Sequence, residues 1–505
     1  MNLLSNPELW RNYRSQLRPG RMAATAGIIA ALSLTFGYAF YKGAEDTSPA
    51  GAWGQQLFEA AFWVQVLALA VGGGFACLIA ISREKEQNTF DFQRVTRLSP
   101  LELTLGKLFG APVLSYFVVL CLMPAALLGA AVGRMDFTRV LAAYGVFLVC
   151  TVAWHGLALL TSLLMERNAA SAGGLLYLAL LGMMSIPDSG PLGLGMMSPF
   201  FSISMLSAPA ATAIPSQPIV FGSRYWDSFF GIPIQHGMVL VVLSVIFLGW
   251  LLLALARNIK RDPSVYELYT PEQSLGLAAY LNLVLVGFFN SKQYGAHDAH
   301  QLMTFLNLSL FFGLGLTVMR NRDRLRRRIS ELGSRASGWL AAFWPATYLL
   351  GGFLGIGLAI LGVISVQFGD PQGWNLAAGM VGLLIASFWL ARDVLFLQWM
   401  NLTRVRRPLT MGMLYLIAYY TCMGILLGAL GLYETAGETP FAAIFLPALG
   451  MALEGKDWEA HRAAWMLAVA AQVPILCVLA MLQKQKLQEL SSRPAGSVVA
   501  AVSAD

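Results

Sequence analysis

The feature that most constrains this chain is a recurring apolar run of about 20 residues, long enough as helix to cross a ~30 Å hydrocarbon layer. Twelve such runs occur, at roughly 22–41, 60–81, 108–131, 139–164, 170–187, 237–256, 274–290, 302–319, 338–366, 375–397, 409–433 and 462–482. The 338–366 run is long enough to tilt or kink. Composition agrees: 57% of residues are hydrophobic and 12% charged, whereas soluble globular proteins carry about 25% charged. A single soluble core stops growing at roughly 250–300 residues and could not hide so much apolar surface. The expected fold is an all-α polytopic membrane protein of about twelve spans.

Lys and Arg placement sets orientation. With the N-terminus inside and span ends counted, 27 of the 34 basic residues fall on the inner side and 7 on the outer. Acidic residues divide 14 to 13, so basic residues alone carry the bias. Both termini are expected in the cytoplasm, and no cleavable signal peptide is evident in the first 21 residues. The net charge of +7 is thus a topology signal and implies no nucleic-acid partner. "RNRDRLRRR" (320–328) lies between two spans on the inner face, where contact with anionic lipid suits it. Cys77, Cys121, Cys150, Cys422 and Cys477 fall inside spans without a CxxC pair and read as small apolar residues.

The second six spans echo the first. "GLLYL" (174–178) returns as "GMLYL" (412–416), an offset of 238, and "SPF" (198–200) as "TPF" (439–441). Basic loops begin near Arg83 and near Arg320. Both sets start inside and hold an even number of spans, which implies two parallel six-helix repeats with a pathway between them. Helix starts fit: Asn6 with Pro7, or Ser5 with Glu8, can cap a first helix, and Thr270, Pro271 and Gln273 open span seven. In the first helix Leu9, Trp10, Tyr13 and Leu17 fall on one face, with Arg11, Arg14, Arg18 and Arg21 on another. That is an interfacial helix lying on the inner leaflet, arginines toward lipid phosphate or a partner.

The segment "SREKEQNTFDFQRVTRLSPLELTLGK" (82–107) packs nine charged side chains between two spans. Phe92, Val95 and Leu98 recur every third residue, which predicts a short amphipathic surface helix. Ser99, Pro100 and Glu102 then spell a capping box that restarts a helix into span three. A plain loop could be six residues long, and four acids among five bases suggest a surface on which something docks.

"REKEQNT" followed by "LSPLELTLGK" resembles the segment after the second span in permeases of the ABC-2 class of ATP-binding-cassette exporters. "NPELWRNYRSQLRPGRM" resembles their N-terminal surface helix, and "SPFF" the opening of their external loop. The likeness covers roughly residues 1–257; the second half resembles the family in span layout and internal echo. It implies a coupling helix that docks in a cytoplasmic ATPase subunit, with Arg83, Glu84, Lys85, Glu86 and Thr89 toward that partner and Lys107 anchoring the foot of span three. It implies an interfacial helix carrying Trp10, Arg11, Arg14 and Arg18, and an external gate opened by Ser198, Pro199, Phe200 and Phe201. ATP and Mg would bind the partner subunit, and this chain would bind no cofactor or metal itself. The expected divisions are an interfacial helix (1–21), a first module (22–257) with coupling loop 82–107 and external re-entrant loop 188–236, a cytoplasmic linker (258–270), a second module (271–484) and a flexible cytoplasmic tail (485–505). A bacterial inner membrane is the implied location, with membrane lipid as a further partner. Since family permeases commonly pair six-span chains, twelve spans imply a fused pair; a second permease chain stays open. The second inner loop, with seven arginines between 320 and 335, lacks the acid–Lys–acid block and Gly106–Lys107.

Other chemistry has less to stand on. Gly106–Lys107 lacks the remaining residues of a Walker A loop, so the chain is not expected to hydrolyse ATP by that route. A twelve-span secondary transporter is the main alternative, and a scaffold recruiting an ATPase is another. Coupled carriers place ionisable groups near the midplane; His155 is the one such group near a span centre, and Arg392 and Asp393 lie toward the inner end of span ten. Packing of His155 against Trp154 is preferred to a proton relay. "HDAH" (His297, Asp298, His300) reads as a polar hairpin before a metal site, and Glu434, Glu438, Glu454, Asp457 and Glu459 as a solvated acidic face. "GGFLGIG", with Gly351 and Gly355 four apart, predicts close packing between spans.

Overall fold

The computed structural model describes residues 6–45, 52–165, 173–183, 198–200, 202–203, 228–229, 232–233, 236–262, 266–287, 296–319, 336–368, 376–403, 405, 408–430, 445 and 455–491. They belong to two compact units, one of residues 1–268 with 287–289 and one of 269–286 with 290–505. The main division falls in the 258–270 linker.

Among the described residues ten helices are long and apolar enough to cross a membrane: Pro19–Ala44, Ala52–Glu86, Val113–Val132, Phe137–Leu164, Val239–Asn258, Ala299–Leu316, Leu349–Val366, Leu376–Leu402, Pro408–Ala429 and His461–Glu489. The chain is a multi-pass membrane protein. Two of the twelve expected runs have shorter helices among the described residues. The 170–187 run has a described helix of 10 residues, Gly174–Met183, and the 274–290 run lies largely in a 17-residue helix, Pro271–Gly287.

In the first unit α1 (Pro7–Gln16) precedes α2 (Pro19–Glu45). Then α3 (Ala52–Val66), a π-helical stretch (Leu67–Gly73) and α4 (Gly74–Glu86) run on as one rod. The short α5 (Phe90–Arg94) leads to α6 (Pro100–Gly110) and α7 (Val113–Val132), which are separated by a turn at Ala111–Pro112. α8 (Phe137–Leu164), α9 (Gly174–Met183) and α10 (His236–Asn258) complete the unit, with an antiparallel pair of two-residue strands, Ser228–Phe229 and Ile232–Pro233, before α10. Proline at the break explains the α6–α7 joint: it has no N–H for the helix ladder and its ring crowds the preceding turn. α3 and α7 approach closely through glycine. A Cβ on Gly54 would lie 2.5 Å from the Gly133 nitrogen and 2.8 Å from the Gly129 carbonyl oxygen, so a side chain there would force the helices apart. Phe58, Phe62, Tyr144 and Phe147 fill the core between α3, α7 and α8.

In the second unit α11 (Pro271–Gly287) is followed by α12 (Ala296–Val318), α13 (Ala336–Phe368), α14 (Leu376–Leu402), α15 (Pro408–Ala429) and α16 (Gly455–Ser491). Trp389 of α14 and Trp465 of α16 anchor its core. The Thr270–Gln273 capping box forms as expected, with reciprocal bonds of 3.0 and 3.2 Å. The expected Gly351/Gly355 contact does not form among the described residues, none of which lies within 4 Å of a Cβ at either position. Gly352 instead admits Leu275 and Phe311, and Gly357 admits Leu383, because the helix turns a different pair of its glycines toward its neighbours.

Candidate functional site

The charged segment and the first helix converge on one ionic knot. α1 starts where Asn6 caps it, the side-chain oxygen accepting from the Glu8 and Leu9 amides, with Pro7 in the first turn. α6 starts at the expected capping box: the Ser99 hydroxyl accepts from the Glu102 amide at 3.2 Å and Glu102 accepts from the Ser99 amide at 2.8 Å. That backbone bond, with the Ser99 hydroxyl, holds the Glu102 carboxyl below the usual carboxylate range.

α1 lies along α6 in the same direction. Asn6 Nδ2 donates to the Glu102 carbonyl at 2.7 Å, and Gln16 Nε2 to the Ala111 carbonyl at 3.1 Å. Gly106 and Gly110 make the seat, since a Cβ on Gly106 would stand 2.7 Å from Glu8 Cβ and one on Gly110 2.9 Å from Asn12 Nδ2. Glycine four apart lets backbones meet closely, and here what descends onto it is a polar helix face. The sequence reading of α1 as aromatic against basic missed this third face. Asn6 and Glu8 are buried and Asn12 and Gln16 half-buried, while Trp10, Tyr13, Arg14 and Arg18 are exposed. The spacing of Glu8, Asn12 and Gln16, each four apart, is the signal that could have found it.

At the centre Lys107 of α6 is 2% exposed. Its Nζ lies 2.5 Å from Glu84 Oε2 of α4 and 3.2 Å from Glu8 Oε1 of α1. Arg11 closes the ring, 2.7 Å from Glu8 and 2.6 Å from Glu84, and Gln93 of α5 donates to Glu84 at 2.8 Å. Two acids and two bases alternate, so every carboxylate taken from water has a cation, the condition under which buried charge is tolerated. Four elements distant in sequence are thereby fixed to one another.

Neighbouring residues have other tasks. Lys85 donates to the Leu163 and Met165 carbonyls at 2.5 and 3.1 Å, capping the end of α8, where helix carbonyls lack partners and a cation is favoured. Arg83, Glu86 and Thr89 are exposed. The chain leaves α4 through Asn88 at φ 55°, a left-handed position that asparagine accepts more readily than most residues. α5 is shorter than the expected surface helix, ending at Arg94 before Val95 and Leu98. Phe90 and Gln93 point inward while Phe92 and Val95 are 75% and 82% exposed, because Gln93 is held by Glu84. The loop is also tied to the segment after α10, where Lys260 donates to the Thr96 carbonyl at 2.7 Å.

Of the expected external gate, Ser198 and Pro199 are buried and Phe200 packs against Trp63, ring centroids 6.1 Å apart. Phe201 lies outside the described residues, as do 320–328 and the side chains of His297 and Asp298. His300 is buried, its Nε2 3.2 Å from the Thr304 hydroxyl. In the second unit Arg392 and Asp393, placed by the sequence toward the inner end of span ten, form a cluster with Trp389 and Tyr420 that the sequence did not reveal. Arg392 bonds Asp393 at 3.1 Å, its guanidinium stacks 3.9 Å from the Trp389 ring, and the Tyr420 hydroxyl donates to Asp393. Adjacent opposite charges inside an apolar run were the available signal. No family model, curated protein or solved structure matches the chain.

Proposed function

We propose that this chain is the membrane-spanning subunit of an ABC-2-type exporter, worked by ATP bound with Mg on a separate cytoplasmic ATPase subunit. The observation that carries the reading is α5. It presents Phe92 and Val95 outward on a short helix whose inner side is fastened to a buried ionic knot. An apolar projection on a braced, charged platform suits docking by another protein. In this reading Phe92, Val95, Arg83, Glu86 and Thr89 meet the ATPase. Glu84 transmits force inside the chain, since its carboxylate is already engaged by Lys107, Arg11 and Gln93.

The path inward is mechanical. α1, the end of α4, and α6 are joined by the knot and would move together on the inner face. Beyond the knot both supporting rods are interrupted, one by the π-helical stretch at Leu67–Gly73 and the other by the turn at Ala111–Pro112. A Cβ on Gly73 would lie 3.2 Å from Pro112 Cβ, so the two interruptions lie side by side and make a natural hinge.

Duplication supports the pairing of two halves. α6 and α7 together run from 100 to 132 and α13 from 336 to 368. His155 and Asp393 stand at the offset that relates "GLLYL" to "GMLYL". The secondary-transporter reading is favoured by one observation, the buried Arg392–Asp393 pair inside a membrane helix, where ionisable groups usually mark function.

The test is purification in mild detergent of wild type and of a Phe92→Asp/Val95→Asp variant, with mass spectrometry of co-purifying chains. A P-loop ATPase that accompanies wild type and is lost from the folded variant supports the exporter. Retention of the ATPase by the variant removes α5 as its dock. Absence of any ATPase from wild type brings the transporter reading forward.

A further inference from the structure

The hinge region of the first unit holds polar atoms with an unmet need. The π-helical stretch frees carbonyls that an α-helix would use. The Leu69 carbonyl accepts from His155 Nε2 at 2.9 Å, and the Ala70 carbonyl from the Tyr177 hydroxyl at 2.7 Å. Gly73 and Gly74 make this approach available: a Cβ on Gly73 would lie 2.7 Å from His155 Nε2, and one on Gly74 would strike the Tyr177 ring.

The Leu69 bond fixes the state of the imidazole. A carbonyl can only accept, so Nε2 carries the proton. The ring is fully buried, and in the neutral imidazole with its proton on Nε2 the other nitrogen, Nδ1, is an acceptor. Nδ1 has no hydrogen-bond partner among the described residues, and neither does the buried hydroxyl of Tyr116 on α7. One is an acceptor and the other can donate. Their rings stand edge to face with centroids 6.1 Å apart.

We propose that Tyr116 and His155 together bind one buried water molecule beside the Gly73–Pro112 contact. Water accepts from the Tyr116 hydroxyl and donates to His155 Nδ1, which supplies both missing bonds at once; buried waters typically serve such groups. The site is hydrated within the membrane-spanning region, where the two rods are interrupted. It does not depend on which cargo or energy source the protein uses.

The test uses the full chain in nanodiscs with 15N-labelled histidine, His155 being assigned by the resonance lost in His155→Gln. In wild type the expected result is an unprotonated, hydrogen-bonded Nδ1 and a magnetisation-transfer cross-peak from water to the His155 ring. In Tyr116→Phe the Nδ1 resonance shifts toward that of a free lone pair and the water cross-peak is lost. An unchanged spectrum in Tyr116→Phe overturns the proposal. So does a wild-type spectrum without the water cross-peak, including one with a direct Tyr116–His155 bond, and that measurement stands even where the variant does not fold.

Discussion

Replacing Lys107 by Met keeps length and packing volume while removing the cation shared by Glu8 and Glu84. Each lysine–carboxylate contact at about 3 Å corresponds to roughly 5 kcal/mol of Coulomb attraction at an effective dielectric of about 20, before the cost of desolvation is set against it. Removing one partner from a buried pair costs about 3–5 kcal/mol, because the remaining charge is stranded. Arg11 still bridges the two acids, so the lower end, about 3 kcal/mol, is expected. Arg11 itself is half exposed, and Arg11→Met should cost only about 0.2–1 kcal/mol. Denaturant titration in detergent measures the global cost, and hydrogen exchange shows where it falls, with α1 and α6 losing protection first. The decisive companion is the triple variant Glu8→Gln, Glu84→Gln, Lys107→Met. With all three charges removed it should recover most of the lost stability, since neutral replacements of a buried ionic group are often tolerated. A Lys107→Met cost below about 1 kcal/mol, or a triple variant no better than the single, would refute the knot as an electrostatic brace.

Gly106→Ala should lift α1 from its seat at a cost of about 1–3 kcal/mol, seen as faster amide exchange in α1. Gly145→Ala, with nothing near its Cβ, should be neutral or stabilising. Because the Glu102 carboxyl is held below its ordinary value, its capping contribution is complete above about pH 4 and lost as pH falls through the depressed value. Protection at the first turn of α6, taken relative to the intrinsic exchange rate at each pH, should therefore fall on acidification in wild type and be low at every pH in Glu102→Ala. In the second unit Arg392→Met strands the buried Asp393 carboxylate and should destabilise by about 3–5 kcal/mol, with Arg392→Met/Asp393→Asn recovering most of it in the same titration.

Much of the architecture was legible because it rests on one-dimensional signals. Apolar run length reports whether a helix can span lipid, and both capping boxes were readable as short patterns whose partners lie three residues apart. The 82–107 segment stood out by charge alone, yet charge does not say which way a side chain faces. Glu84 and Glu86 are alike as sequence. One is locked beneath α5 and the other is exposed, because a helix turns successive residues through about 100° and only α1 and α6 decide which angle is covered. The same limit chose Gly351 and Gly355 over Gly352 and Gly357.

Sequence alone therefore determined that this is a helical multi-pass membrane protein with a charged platform between its early spans. Tertiary structure decided what the platform is made of. Glu8, Glu84 and Lys107 are separated by long stretches of chain, and their meeting depends on two glycines, a proline break and the registry of α1 on α6. The proline break is local, but the glycine seat and the registry are not. Seat and registry follow from how closely two backbones can approach once buried charges have found opposite partners.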